Sequence, residues 1–242
     1  MSTVPRICVV IPVYNNAGTI ADVVRRSMEQ VPDVIVVNDG STDLTMEAVK
    51  GLGARIVDLG TNRGKGAALK EGFRAAREDG FTHAITLDGD AQHYPEDIPL
   101  IINKLLLNPD ALITGSRNLR SEGMPGGNTF ANMFSNFWFT LETWQRIPDT
   151  QTGFRAYPLD RLPSPAVMTS RYEAELSLLV FSAWKGVRIV PVPVRVYYPP
   201  EGERVSSFRP VRDFLRISLL NTVLCILAIV YGWPRMALRK LV

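Results

Sequence analysis

The sequence predicts an α/β domain with a mainly parallel sheet flanked by helices, and two observations carry that prediction. Five short runs rich in Val and Ile, at residues 6–13, 33–38, 54–58, 82–88 and 110–115, alternate with helix-like segments at 19–30, 43–51, 65–79 and 96–107. That rhythm is the signature of helices covering a sheet whose strands run in parallel. The runs at 6–13 and 34–37 are also nearly continuous in apolar character, as strands covered on both faces must be. Polar residues then gather at the C-terminal ends: Tyr14 and Asn15, Asn38 and Asp39, Asp88 and Asp90, Ser116 and Arg117. Open α/β sheets bind ligands beyond those ends, so these side chains are expected to converge on one crevice.

Past residue 118 the pattern loosens into Gly126 and Gly127, a helix-like aromatic stretch at 130–144, a loop around Asp149, a helix near 172–185 and a strand near 187–197. Pro191, Pro193, Pro199 and Pro200 mark that strand as an edge followed by a flexible connection. This half is expected to build the acceptor side of the crevice. With 46% hydrophobic residues over 242 positions, one full core can be buried, and little is left for a second. The N-terminus carries no basic stretch, long apolar run or cleavage site of a secretory signal, so the main domain is expected to stay cytoplasmic. Cys8 and Cys225, one in a strand-like run and one in an apolar segment, suggest neither a disulfide nor a thiolate metal site.

The net charge of +3 is unevenly spread, since residues 203–242 hold seven Lys or Arg against two acids and leave the rest at about −2. Within that tail, residues 217–234 are uncharged, with Arg212 and Arg216 before them and Arg235, Arg239 and Lys240 after. At about 1.5 Å per residue such a helix covers roughly 27 Å of a hydrocarbon core near 30 Å. Ser218, Asn221 and Thr222 also allow a helix that lies in the membrane interface or packs on the protein. Basic residues beside apolar sequence point to anionic headgroups or a phosphate-bearing partner, and no basic stripe with interleaved aromatics points to nucleic acid. The expected division is a catalytic domain at 1–200 and, at 201–242, a basic juxtamembrane segment with a membrane-associated or single-pass helix.

Three motifs carry chemistry. In residues 87–93 (LDGDAQH), Asp88 and Asp90 flank the small Gly89, so two carboxylates can aim at one hard cation and leave room for substrate oxygens. Mg²⁺ and Mn²⁺ are held in this way, by few carboxylates plus a diphosphate, although paired Asp at a strand end can equally be turn formers or helix caps. In residues 38–43 (NDGSTD), Ser41 or Thr42 can cap a helix whose dipole Asp43 complements, with Gly40 making the turn. Asp39 can in addition accept hydrogen bonds from a base or ribose. Residues 62–69 (NRGKGAAL) fail the P-loop pattern, because Gly60 stands four residues before Gly64 and Gly66 occupies the Ser or Thr position. A glycine-rich helix start with Lys65 can still meet an anion, and tight packing explains the glycines equally well.

Taken with residues 10–15 (VIPVYN), 62–72 (NRGKGAALKEG), 87–95 (LDGDAQHYP), 114–117 (TGSR) and 149–156 (DTQTGFRA), the NDGSTD stretch completes six motifs in order. Together they resemble family 2 glycosyltransferases of the GT-A fold, the nucleotide-diphospho-sugar transferases. The resemblance is closest to the branch of dolichyl-phosphate mannose synthases and related polyprenyl-phosphate glycosyltransferases. It implies that Pro12, Tyr14 and Asp39 line the base and ribose pocket and that Asp88, Asp90 and Gln92 surround Mg²⁺ or Mn²⁺ and the diphosphate. Arg117 would face the acceptor or diphosphate, and Asp149, Gly153, Phe154 and Arg155 would form the acceptor-side loop, with Asp149 its more exposed member. Asn38 stands where many relatives have a second Asp, which alters base contacts and spares the metal. Residues 202–208, with Arg204, are loosely similar to the basic, glycine-containing loop of that branch. Glu173 and Glu175 resemble its acceptor-side acidic segment, yet acids at a helix start are also favoured for structural reasons. His93 is more readily a packing residue than a ligand and is left outside the metal set.

The resemblance further implies an inverting transfer from a nucleotide-sugar donor, GDP-mannose or a UDP-sugar, to a lipid-linked acceptor on the cytoplasmic face of the membrane. A polyprenyl phosphate acceptor, held by Arg117, Arg204 and Arg209, needs no general base, whereas a glycolipid or cell-envelope hydroxyl needs Asp149, Glu173 or Glu175 to deprotonate it. The basic tail favours the phosphate. A nucleotidyltransferase or a non-catalytic nucleotide-sugar binder would share the layout but not the released product.

Overall fold

The computed structural model describes residues 4–117, 126–164, 169, 171, 173–198 and 210–241, with only the backbone course described at 126–131, 210–217 and 240–241. The chain begins with β1 (Ile7–Val13), α1 (Ile20–Gln30), β2 (Val34–Asn38), the short α2 (Thr45–Val49), β3 (Arg55–Asp58), α3 (Lys65–Glu78) and β4 (His83–Thr86). A 3-10 turn at Pro95–Asp97 leads into α4 (Ile98–Leu106), followed by β5 (Leu112–Ser116), α5 (Gly126–Thr143) and β6 (Arg155–Pro158). The remainder is α6 (Ala174–Trp184), β7 (Ile189–Pro193), α7 (Pro210–Leu227), a widened π turn at Ala228–Gly232 and α8 (Trp233–Leu241).

The seven strands form one sheet in the order β3-β2-β1-β4-β6-β5-β7. Six run in parallel, with Val10 opposite Ile35 on one side and Thr86 on the other. The seventh strand, β6, lies outside the Val- and Ile-rich runs: it enters antiparallel between β4 and β5 and pairs Thr86 with Arg155 and Ile113 with Ala156. Its four residues, RAYP, hold one arginine and one proline and present no apolar run for a pattern to detect. β7 takes the edge beside β5, where Pro191 and Pro193 leave no central ladder short of a donor.

Two apolar layers cover the faces. One contains Val9, Ile11, Val36, Ile85 and Ile113 beneath α1 and α4, and the other contains Val10, Ile35, Val37 and Tyr157 beneath α3 and α6. In α1 the buried Ile20, Val23, Val24 and Ser27 recur at helical spacing, so a single stripe faces the sheet. α3 buries Gly66, Ala68, Leu69, Gly72, Phe73 and Ala76. A Cβ on Gly72 would overlap Val10 and crowd Val37, so glycine there lets α3 lie directly on β1 and β2.

The C-terminal helix continues past Pro234, and the π turn sits where that proline lacks the N–H that would bond back to Val230. Asn221, Leu224, Ala228, Gly232 and Met236 form its buried stripe against α5 and α6, with Gly232 set against the Trp184 ring. Leu219, Val223, Ile226, Ile229 and Val230 are exposed. Ser218–Arg239 is long and apolar enough to cross a membrane, with 28% of its most apolar window buried within the protein. The basic residues Arg204 and Arg209 and the 202–208 loop lie outside the described residues.

Candidate active site

The sheet order changes direction between β1 and β4, and the side chains past their C-terminal ends meet there. Asp88, two residues beyond β4, is half-buried, and its Oδ1 lies 2.6 Å from Lys65 Nζ at the start of α3. The same ammonium lies 2.8 Å from Glu175 Oε2 on α6. Gly153 closes over the pair, because a Cβ there would fall 2.5 Å from Asp88 Oδ2 and 3.0 Å from Lys65 Nζ. Thr86 holds that loop by donating its hydroxyl to the Gly153 carbonyl at 2.7 Å. Burial would raise the Asp88 carboxyl, but Lys65 outweighs it and holds the group below the usual carboxylate range.

Asp90 behaves in the opposite sense. Burial first and the neighbouring Asp88 charge second push its carboxyl up to about 6, against the N–H of Gln92, which it accepts at 3.0 Å. Ala91, between them, is left-handed at φ 61°, a conformation that only a constrained non-glycine residue holds. Asp88 and Asp90 are thus two neighbouring hard oxygen donors of which Asp88 alone is paired with Lys65, a set that suits Mg²⁺ or Mn²⁺ completed by phosphate oxygens and water. No group of three or more His, Cys, Asp or Glu that could hold a metal unaided occurs among the described residues. His93 packs its ring against Phe154 at 5.4 Å, and burial pushes it down to about 4, so it is neutral at physiological pH. Gly89 tucks under Val13 and Ile20, and its carbonyl accepts the Thr19 hydroxyl at 2.6 Å.

On the β2 side, Asp39 is buried, with Oδ1 accepting the Arg63 N–H at 2.7 Å and Oδ2 the Gly64 N–H at 2.8 Å. Burial lifts its carboxyl above the ordinary value despite these donors, and the unused lone pairs are what a base or ribose could engage. Gly40, at φ 71°, allows this approach, since a Cβ would overlap the Thr61 backbone. Asn38 has a local explanation: its amide donates to Asp58 at 2.9 Å and its carbonyl accepts the Ser41 N–H, where a second Asp would face Asp58 as a like charge. Ser41 and Thr42 do not cap α2. They bond to Asn15 instead, and Asp43 accepts from the Thr45 N–H and the Ala17 N–H. Pro12 is buried within β1, and Tyr14 is exposed just past it.

The acceptor-side expectations need three corrections. Asp149 is fully buried rather than exposed, and Arg117 clasps it with Nε at 2.6 Å and Nη2 at 2.9 Å. Asn132 Nδ2 at 2.6 Å and the backbone N–H groups of Gln151 at 3.0 Å and Arg117 at 3.2 Å complete its shell. Burial opposes ionisation, but Arg117 prevails and holds the carboxyl low. Arg155 is not at the surface of the loop: it lies in β6, fully buried, donating to the carbonyls of Thr150 and Glu175 at 2.8 and 2.9 Å. Of the two acids at the start of α6, Glu175 in its first turn reaches Lys65, whereas Glu173 occupies the N-cap position without a side-chain capping bond. Asn132, Ser135 and Asn136, which none of the six motifs contains, hold the 148–150 loop. Their spacing of three and four on an otherwise aromatic helix was the available signal.

The model of glycosyl transferase family 2 matches residues 8–166. The chain belongs to glycosyltransferase family 2. Among its family 2 relatives, glycosyltransferase AglJ of Haloferax volcanii is 29% identical over 88% of this chain and 70% of its own length. Undecaprenyl-phosphate mannosyltransferase of Micrococcus luteus is 28% identical over 84% of this chain and 88% of its own. In the solved structures, glucosyl-3-phosphoglycerate synthase of Mycobacterium tuberculosis, bound to Mn²⁺, UDP and phosphoglyceric acid, matches with TM-score 0.68 and 20% identity. That match covers 93% of this chain and 78% of the synthase and establishes the GT-A fold.

Proposed function

We propose that this family 2 enzyme transfers a sugar with inversion from a UDP-sugar or GDP-mannose to a polyprenyl phosphate at the cytoplasmic face of a membrane. The observation that carries the acceptor choice is the Arg117–Asp149 clasp. Of the carboxylates that could deprotonate an alcohol, Asp149 has both oxygens occupied and Glu175 is bound to Lys65. A phosphate arrives already ionised and needs no base. Arg117 spends only part of its five N–H donors on Asp149, and the rest suit a phosphate oxygen. The names of the Micrococcus mannosyltransferase and of the dolichyl-phosphate N-acetylglucosaminyltransferase of Methanococcus voltae, 27% identical over 79% of this chain, support the same acceptor class.

In this reading Asp39 and Tyr14 bind the nucleoside with Pro12 beneath them, and Asp88 and Asp90, with Gln92 beside them, hold Mg²⁺ or Mn²⁺. Such an ion supplies Lewis-acid neutralisation of charge on the departing nucleoside diphosphate. Lys65 and the Gly89 turn border the diphosphate, and Gly153 fixes the distance between the acceptor loop and Asp88. Arg117 orients the acceptor oxygen for in-line attack at the anomeric carbon. Arg204, in the basic segment before the C-terminal helix, adds charge for the lipid phosphate. The exposed apolar residues of that helix, together with Phe137 and Leu141 of α5, support a membrane location.

The test is an acceptor screen with purified enzyme and radiolabelled donors. Transfer to polyprenyl phosphate is expected, and transfer to a neutral lipid or free glycan without any to polyprenyl phosphate overturns the assignment. One observation favours a hydroxyl acceptor: Glu173 has no side-chain capping bond and could serve as the base. Under that reading Glu173→Gln abolishes transfer to the alcohol, while under ours it leaves transfer to the phosphate within a few-fold.

A further inference from the structure

Lys65 touches the first metal-motif carboxylate and is held from the far side by an acid that the metal motif does not contain. Its ammonium lies between Asp88 Oδ1 at 2.6 Å and Glu175 Oε2 at 2.8 Å, and the three side chains are 15%, 28% and 10% exposed. The second oxygen of Glu175, Oε1, is buried without a hydrogen-bond partner among the described residues. A buried carboxylate oxygen rarely goes unmatched, so this one marks room for another donor. An ammonium carries three N–H donors, and here two go to two different carboxylates.

A divalent ion bound to Asp88 cannot share it with the ammonium, because the two cations would sit within a few ångströms of each other in a poorly hydrated crevice. Lys65 must then move off Asp88. Glu175 offers it a second oxygen to retreat to, and the diphosphate of the donor offers it another anion. The charge count favours the exchange only when the nucleotide is present: two phosphate groups bring both ligands for the ion and a counter-charge for the displaced ammonium.

We infer that Lys65 is a built-in counter-cation of the metal site, satisfying Asp88 in the nucleotide-free enzyme and yielding it when a nucleoside diphosphate enters with the ion. Glu175 is the positioning residue that keeps the ammonium within reach. Metal binding is thereby tied to nucleotide binding, and by reciprocity the ion raises nucleotide affinity by the same factor. This inference rests on the reading of Asp88 and Asp90 as metal ligands.

The experiment is Mn²⁺ binding to the full-length protein, read by electron paramagnetic resonance of the free ion, with and without UDP or GDP. In the wild type, nucleotide is expected to tighten Mn²⁺ binding by about tenfold or more. Lys65→Met should bind Mn²⁺ without nucleotide about tenfold more tightly than the wild type, and its gain from nucleotide should shrink to a few-fold. Because Lys65→Met leaves two acids unpaired and can unfold the site, Glu175→Gln gives a second reading of opposite sign. With Oε2 no longer an anion, the ammonium stays on Asp88 and nucleotide-free Mn²⁺ binding weakens. If Lys65→Met, folded by circular dichroism, binds nucleotide-free Mn²⁺ no more tightly than the wild type, or if Glu175→Gln tightens it, the inference is overturned while the metal site stands. If the wild type binds no Mn²⁺ with UDP or with GDP, or Asp90→Asn leaves binding unchanged, the metal site itself is refuted and the inference goes with it.

Discussion

Replacing Arg117 with leucine removes the one cation among the described residues that forms an ion pair with the fully buried Asp149. The carboxylate keeps the backbone N–H groups of Arg117 and Gln151 and the amide of Asn132, so its geometry survives but its charge is stranded. Breaking a buried pair from one side costs about 3–5 kcal/mol, which for a chain of this size is about 6–20 °C in Tm. The pH dependence separates this cause from simple loss of packing. In the wild type Asp149 titrates below its unfolded value, so its contribution is present above the ordinary carboxylate range and is lost as pH falls through the folded value. In Arg117→Leu only the neutral N–H donors still oppose burial, which then raises the folded value, so acidification protonates the group and stabilises the variant by up to about 1.4 kcal/mol per pH unit. Urea denaturation at a series of pH values from 7 down to 4.5 should show the gap between the two proteins closing. A gap below about 1 kcal/mol at pH 7, or one that does not change with pH, would refute the idea that Arg117 neutralises a buried charge.

Three further outcomes follow from the crevice. Gly153→Ala places a methyl group 2.5 Å from Asp88 Oδ2, so sugar transfer should fall by about a hundredfold or more while the fold loses about 1–3 kcal/mol, measured by donor turnover and thermal melting. Asp90 titrates near 6 when folded, so its contribution is full at acid pH and is lost as pH rises through 6. Asp90→Asn should therefore melt higher than the metal-free wild type at pH 8, by about 1–2 kcal/mol after allowance for partial exposure, show little gain at pH 4, and lose transfer altogether. Ala91→Gly relieves a left-handed alanine at φ 61° and should add about 0.5–1 kcal/mol, and a clear loss of stability would show that the conformation is not strained.

The parallel half of the fold was legible because buried strands announce themselves as runs of Val and Ile, and the polar residues at their ends do converge. β6 was not legible, since Arg155 and Pro158 interrupt it and its direction depends on pairing with β4 and β5 far along the chain. Asp88 and Asp90 could be read as a pair from spacing alone. Their opposite titration could not, because Asp88 is lowered by Lys65, which belongs to another motif, while Asp90 is raised by burial and by the Asp88 charge. The choice between Glu173 and Glu175 turned on where α6 begins, since two residues rotate a helix by more than half a turn. A charged residue in a loop reads as exposed, and only the arrival of Arg117 from the end of β5 makes a buried Asp149 affordable.

The Arg117–Asp149 clasp joins positions 32 residues apart in sequence. It thus forms the neck of an excursion that leaves the sheet after β5 and returns just before β6. The neck is braced from within the excursion, because Asn132 of α5 donates to Asp149 and Asn136 donates to the Pro148 carbonyl. Loop-closure entropy rises only slowly with length, so the stretch joining β5 to α5 can be lengthened, shortened or exchanged at small cost as long as α5 and the neck remain. A single sugar-donor crevice can in this way be fitted to acceptors of different size by grafting at one point, with Arg117 and the start of α5 as the natural boundaries of the graft.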